Sequence, residues 1–148
     1  MASCLMPGNA EWARAAPVLA ISVAKLHFSR DGRPNRHAFH DTALAVANLT
    51  VQAMAFDLYV HQMAGIHPER IVETYLVPEG HEPVAGIAIG YLGEPEDLPA
   101  PLRERERAPR SRISLREFVF SGAWGRTAPL VAQPRTPDVP GGAGGGKA

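Results

Sequence analysis

Arg36-His-Ala-Phe-His-Asp-Thr-Ala-Leu-Ala-Val-Ala-Asn-Leu-Thr-Val-Gln-Ala-Met-Ala-Phe-Asp57 is the stretch on which the fold turns. No Gly or Pro interrupts it, and Ala, Leu, Val and Met dominate. Phe39, Ala43, Val46, Ala47, Thr50 and Met54 follow a 3.6-residue period on one face. Leu44, Ala47, Val51, Ala55 and Leu58 trace a second stripe beside it. A helix apolar over that much of its circumference is buried on nearly all sides. The expectation is a long buried central helix with neighbours around it, some of them from a second subunit.

On the N-terminal side, Asn9 is placed to cap a short helix over Ala10 to Ala15 that Pro17 closes. Pro17 to Phe28 opens as a continuous apolar run of strand length and ends in alternation, the pattern of a central strand. Arg30-Asp-Gly-Arg-Pro-Asn35 is turn chemistry, with the reversal at Asp31-Gly32. On the C-terminal side, Leu58 to Met63 is a short strand or extended turn running to Gly65. A helix starts at His67-Pro68-Glu69 and reaches about Leu76. Glu82 to Leu92 is the next strand, and its Gly86 and Gly90 leave room for a backbone or a planar ligand to come close. Arg103 to Arg116 is dense in charge, and Ser114 is placed to cap a short helix containing Leu115, Phe118 and Val119. From Gln133 the chain turns Pro- and then Gly-rich, so residues 133–148 read as a disordered tail behind one domain spanning residues 1–132.

The 148 residues suffice for one domain with one core. Apolar residues make up 45% and charged residues 20%, as in soluble globular proteins. Lys+Arg and Asp+Glu are 15 each, a balance that argues against a nucleic-acid binder. Cys4 is the one cysteine, so no internal disulfide forms and nothing points to secretion. No apolar run reaches the roughly 18 residues a membrane helix needs, and the N-terminus lacks the build of a signal peptide. A cytoplasmic location is expected.

Few residues suggest chemistry on their own. His37, His40 and Asp41 share a helix face, but spacing offers no further ligand and no zinc-like interval, so no metal site is expected. Cys4 has no base or orienting partner in sequence that would make it a nucleophile. Gly141 to Lys147 fits the spacing of a phosphate-binding loop, yet the Ser/Thr, the preceding strand and the following helix are all lacking. Asn48-Leu-Thr50 has the glycosylation pattern inside a helix expected to be buried. Read alone, Arg110 and Arg112 are solvated surface charge, and Gln62 to Gly65 is an ordinary turn.

Five stretches, in this order, resemble the nitroreductase family of FMN-dependent oxidoreductases. They are Asn9-Ala-Glu-Trp-Ala-Arg-Ala-Ala-Pro-Val18, Asp41-Thr-Ala-Leu-Ala-Val-Ala-Asn-Leu49, His61-Gln-Met-Ala-Gly65, Pro78-Glu-Gly-His-Glu-Pro-Val-Ala-Gly-Ile-Ala-Ile-Gly90, and Arg110-Ser-Arg112 ahead of Leu115-Arg-Glu-Phe118. The resemblance implies an α+β fold, an antiparallel sheet flanked by helices around a long central one. It also implies an intertwined homodimer with FMN at the subunit interface. Gln62, Met63, Ala64 and Gly65 would pass beside the isoalloxazine ring, where small residues let backbone amides approach. Arg110 and Arg112 would hold the FMN phosphate, since residues two apart on an extended segment face one side. NAD(P)H would be the reductant and a nitroaromatic or quinone-like small molecule the electron acceptor. Family members carry a further phosphate motif and an Asn-containing turn ahead of the position of Asn9. This sequence starts after them, so the expectation is a truncated fold whose N-terminal flavin-site segment is missing. A homodimer mate or another partner would supply the missing half. The alternative is a non-catalytic remnant or subunit that dimerises, or binds flavin, without turnover.

Overall fold

Strand β3 (His81–Gly90) pairs antiparallel on both sides, with β1 (Val18–Lys25) along one edge and β2 (Tyr59–Met63) along the other. The computed structural model describes residues 1–132; the expected tail, residues 133–148, lies outside the described residues. These fall into two units, the first Met1–Arg107 and the second starting at Ala108. The α+β reading, with a small antiparallel sheet and helices, holds.

Pairing fixes which residues share a sheet face. Leu19 sits opposite Ala88, which sits opposite His61; Ile21 sits opposite Gly86, which sits opposite Met63. That face covers the main core of Cys4, Leu5, Ala13, Met63, Ile66, Ile71 and Ala88. The opposite face carries Ile87 and Ala24, both buried, by the two-residue period of a strand. Pro83 is tolerated in the central strand because β2 pairs only from Gly86 onward, which leaves one side free there. Val84 is the extra residue of a bulge, since Ser22 faces Ala85 and Val23 faces Pro83. The Ser22 hydroxyl bridges the irregularity, donating to the Ala85 carbonyl and accepting from its N–H.

The long helix α2 (Ala38–Met54) lies against β1 and β2. Within the chain it buries one stripe only: Ala38, Val46 and Ala53, with Thr42 and Thr50 half-buried between them. Each threonine hydroxyl donates to the carbonyl four residues earlier, so these polar groups bring their own partners inward. Of the stripes expected from sequence, Phe39, Leu44, Val51 and Met54 are exposed. Asp57 closes the helix at a positive φ of 56°, with the Leu58 N–H reaching back to the Ala53 carbonyl.

The N-terminal residues depart most from expectation. Cys4 and Leu5 are not part of a loose end but of the core, and Cys4 is fully buried. A 3-10 turn (Ala2–Cys4) brings them there, and Leu5 bridges Ile66. Helix α1 runs Pro7–Ala13, starting three residues before the expected Ala10, with Pro7 at its first position and Met6 before it. Asn9 therefore lies inside the helix rather than capping it. Helix α3 (Pro68–Tyr75) ends at Leu76, which takes a left-handed φ of 52°. Beyond β3 comes α4 (Ala100–Arg107), an exposed helix tied to the preceding 3-10 turn by an Arg107–Glu96 ion pair.

The second unit is held by local contacts. Ser114 caps as expected, but what it caps is a 3-10 turn, Leu115–Glu117, that stops before Phe118 and Val119; Glu117 completes a capping box with it. Phe120 bridges Thr127, and Trp124 at the intervening bend meets Phe120 edge to face at 5.2 Å. A short helix, α5 (Pro129–Ala132), follows. Arg116 donates to the Val131 carbonyl, and the Thr127 hydroxyl to the Arg116 carbonyl.

Candidate functional site

β2 is an edge strand, so one side of its backbone carries no ladder partner. Along it, Gln62 and Ala64 are exposed while Met63, 3% exposed, turns into the core. The Met63 side chain fills space beside Gly86 and does not present itself to a ligand. The chain then bends at Gly65, where the Ile66 N–H reaches the Ala64 carbonyl.

The bend is pinned from the N-terminal side. The Gly65 carbonyl accepts two hydrogen bonds, from the Met6 N–H at 3.0 Å and from Asn9 Nδ2 at 3.0 Å. The His67 N–H donates to the Cys4 carbonyl at 2.8 Å, and Trp12 meets His61 edge to face with ring centroids 4.7 Å apart. A Cβ on Gly65 would stand 2.5 Å from Asn9 Nδ2, closer than any side chain tolerates. Glycine thus leaves the Asn9 amide room to reach the bend. Sequence reasoning assigned Asn9 to helix capping and missed this contact, which joins residues 56 positions apart.

The other glycines expected to admit a ligand are filled by the chain itself. A Cβ on Gly86 would meet Leu5 Cδ2 at 2.9 Å and Ile66 Cγ2 at 3.3 Å, and one on Gly90 would meet Pro17 Cδ at 2.8 Å. Their role is close packing of this protein's own side chains.

Arg110 and Arg112 lie in the second unit, in a stretch without helix or strand, and both are exposed. Arg112 Nη1 donates to the neighbouring Ser111 carbonyl at 2.9 Å. Among the described residues the ion pairs involve Arg30, Arg33 and Arg107, so neither Arg110 nor Arg112 is committed to a carboxylate. Such guanidinium groups suit an anion of phosphate type. Gln62 to Gly65 suits a flat ring in part: Met63 is turned away and the small Ala64 is exposed just past the open strand edge, beside the exposed Gln62. Taken one at a time, the Gln62 to Gly65 segment has the small residues a planar ring needs and the arginine pair has the charge a phosphate needs.

Elsewhere, the His37 and His40 rings lie 6.5 Å apart, and among the described residues no group of three His, Cys, Asp or Glu could hold a metal. Among those residues, too, no helix is long and apolar enough to cross a membrane. The Asp31 carboxyl is held below its ordinary value, first by the Arg33 side chain, then by the Arg33 N–H and by Arg30. That cluster belongs to the β1–α2 turn.

No family model matches the chain. Among solved structures, it superposes on an oxidoreductase containing FMN with a TM-score of 0.78 and 35% identity, over 85% of this chain and 65% of that one. A nitroreductase family protein from Clostridium difficile 630 matches with a TM-score of 0.53 and 21% identity, over 74% of this chain and 61% of that one. One from Streptococcus pneumoniae TIGR4 matches with a TM-score of 0.56 and 16% identity, over 80% and 70%. The chain thus spans about two thirds of the length of these solved structures. An uncharacterised 15.4 kDa protein in the ask 5′ region of Mycolicibacterium smegmatis is 36% identical over 125 residues, 84% of this chain and 82% of that protein. This chain and the M. smegmatis protein belong to one family, and the chain has the fold of the nitroreductase-family proteins.

Proposed function

We propose that the chain forms part of an FMN-dependent NAD(P)H oxidoreductase, working in the cytoplasm as a homodimer. The observation that carries this reading is the 35% identity and TM-score of 0.78 to an oxidoreductase containing FMN. When bound, FMN would supply the hydride chemistry, taking reducing equivalents from NAD(P)H and passing them to a nitroaromatic or quinone-like acceptor. The work left to this chain is binding and orientation. Gln62, Ala64 and the Gly65 bend would lie against the ring and fix its approach, with Met63 anchoring the strand from below. Arg110 and Arg112 would neutralise the phosphate. None of these groups needs to act as acid or base.

The exposed apolar side chains of α2 support the dimer. Phe39, Leu44, Leu49, Val51 and Met54 present more apolar surface than a stable monomer usually leaves in water. A second copy covering that surface would also bring a further wall to each flavin.

The test is the visible absorption spectrum of purified protein before and after loading with FMN and desalting, followed by NAD(P)H oxidation with a quinone or nitroaromatic acceptor. A retained flavin band with turnover above free FMN is expected. The second reading, a remnant or subunit without turnover, draws on the chain spanning 65% of the FMN-containing oxidoreductase. It predicts either flavin retention without turnover or a colourless dimer, and a protein that cannot be loaded sinks the enzyme reading for this chain alone.

A further inference from the structure

We propose that Asn9 is a positioning residue for the flavin-contact bend, acting through the Gly65 carbonyl; this rests on the reading of Gln62 to Gly65 given above. Three observations converge on it. Asn9 Nδ2 donates to the Gly65 carbonyl at 3.0 Å, across 56 positions of sequence. A Cβ at residue 65 would stand 2.5 Å from that same nitrogen, so a side chain there would push the Asn9 amide away. Gly65 is also absent from the positive-φ glycines, so its backbone angle does not call for glycine.

The consequence lies one residue upstream. With the Gly65 carbonyl held by Asn9 and Met6, and the Ala64 carbonyl held by the Ile66 N–H, the peptide planes on either side of Gly65 cannot rotate freely. A strand edge that must meet a rigid planar ring gains affinity when its peptide planes are already oriented, because the ordering cost is met before binding. Asn9 is suited to this: its helix α1 is anchored by Ala13 in the core, and Trp12, one turn along, meets His61 of β2 edge to face. Helix α1 thus grips β2 and its bend from one side, which leaves the other side of the bend for the ligand. Met6 keeps its own bond to Gly65, so removing the Asn9 amide loosens the bend without releasing the segment.

The experiment uses the full chain and FMN itself. The dissociation constant is read from quenching of flavin fluorescence, and the position of the visible band from absorption, for wild type, Asn9→Ala, Gly65→Ala and the double variant. Asn9→Ala is expected to weaken FMN about three- to tenfold, the worth of one hydrogen bond, and to shift the flavin band, with circular dichroism unchanged. Gly65→Ala forces the new methyl against Asn9, so it should weaken FMN more in the wild-type background than in Asn9→Ala, where space has opened. Wild-type affinity and band position in Asn9→Ala would overturn the proposal, as would an equal cost of Gly65→Ala in both backgrounds. A wild-type protein that takes up no FMN is a separate outcome, which removes the flavin reading and this proposal together.

Discussion

Among the described residues, two without the freedom of glycine hold left-handed backbone, Asp57 and Leu76, and they do so at different expense. Asp57 ends α2, and aspartate visits that region with little penalty. Leu76 ends α3 with its side chain 84% exposed, so its strain is not offset by burial within the chain. Left-handed backbone costs a branched residue roughly 1–2 kcal/mol, part of which glycine returns as unfolded-state entropy. Leu76→Gly is therefore expected to stabilise the protein by about 1 kcal/mol in urea denaturation. Asp31 offers a residue-scale test of electrostatics. Its folded value lies below the ordinary 3.8 because the charged carboxylate is favoured by Arg33 and Arg30. A depressed folded value means the contribution is complete above the unfolded value and drains away as pH falls through the folded one. Carbon-13 NMR should find the Asp31 midpoint below 3.8. Arg33→Ala should return it upward further than Arg30→Ala, since Arg33 is the larger cause.

The elements themselves test what can be read from sequence. Strands and helices surfaced close to their bounds where apolar period and punctuation agree, as in β1, α2 and α3, the last opened by Pro68. The inward face of α2 was legible only in part: Val46 and Thr50 of the first expected stripe turn inward, but small residues and the back-bonded Thr42 complete that face while Phe39 and Met54 are exposed. Periodicity ranks faces by apolarity and cannot see which one the sheet meets. Helix α1 was misplaced because Asn9 has capping chemistry, while the real start, Pro7 after Met6, has no side-chain cap at all. Leu5 beside Gly86 and Pro17 beside Gly90 come from the N-terminal end of the first unit, and no local window reports such contacts. Of the candidate site, Gln62 to Gly65 and the arginine pair stood out only through resemblance, and the Asn9 contact that shapes the bend not at all. Gly86→Ala follows from the packing: its methyl would press on Leu5 and Ile66, and overpacking of this kind costs about 1–3 kcal/mol. Thermal unfolding should show the loss, and trimming Leu5 to Ala in the same chain should make the added methyl less costly.

At the scale of the whole molecule, the exposed flank of α2 sets the expectation of assembly. Val51 is 69% exposed within the chain. In a lone chain, Val51→Lys should change stability by less than about 0.5 kcal/mol, whereas in a dimer closed over that flank it buries an unpaired charge. Light scattering should therefore report dimers for the wild type and monomers for Val51→Lys, with matching circular dichroism; dimers of both would place the contact elsewhere. The order of strands has its own consequence. The middle strand of the sheet is the last of the three to be synthesised, and its contact with the first, at Ser22 and Ala85, spans 63 positions. Neither β1 nor β2 has a strand to pair with until β3 has left the ribosome, and closing so long a loop delays assembly further. Between the completion of α2 and that of β3, then, the nascent chain carries a helix with its apolar stripes bare, the state in which holdase chaperones find their clients.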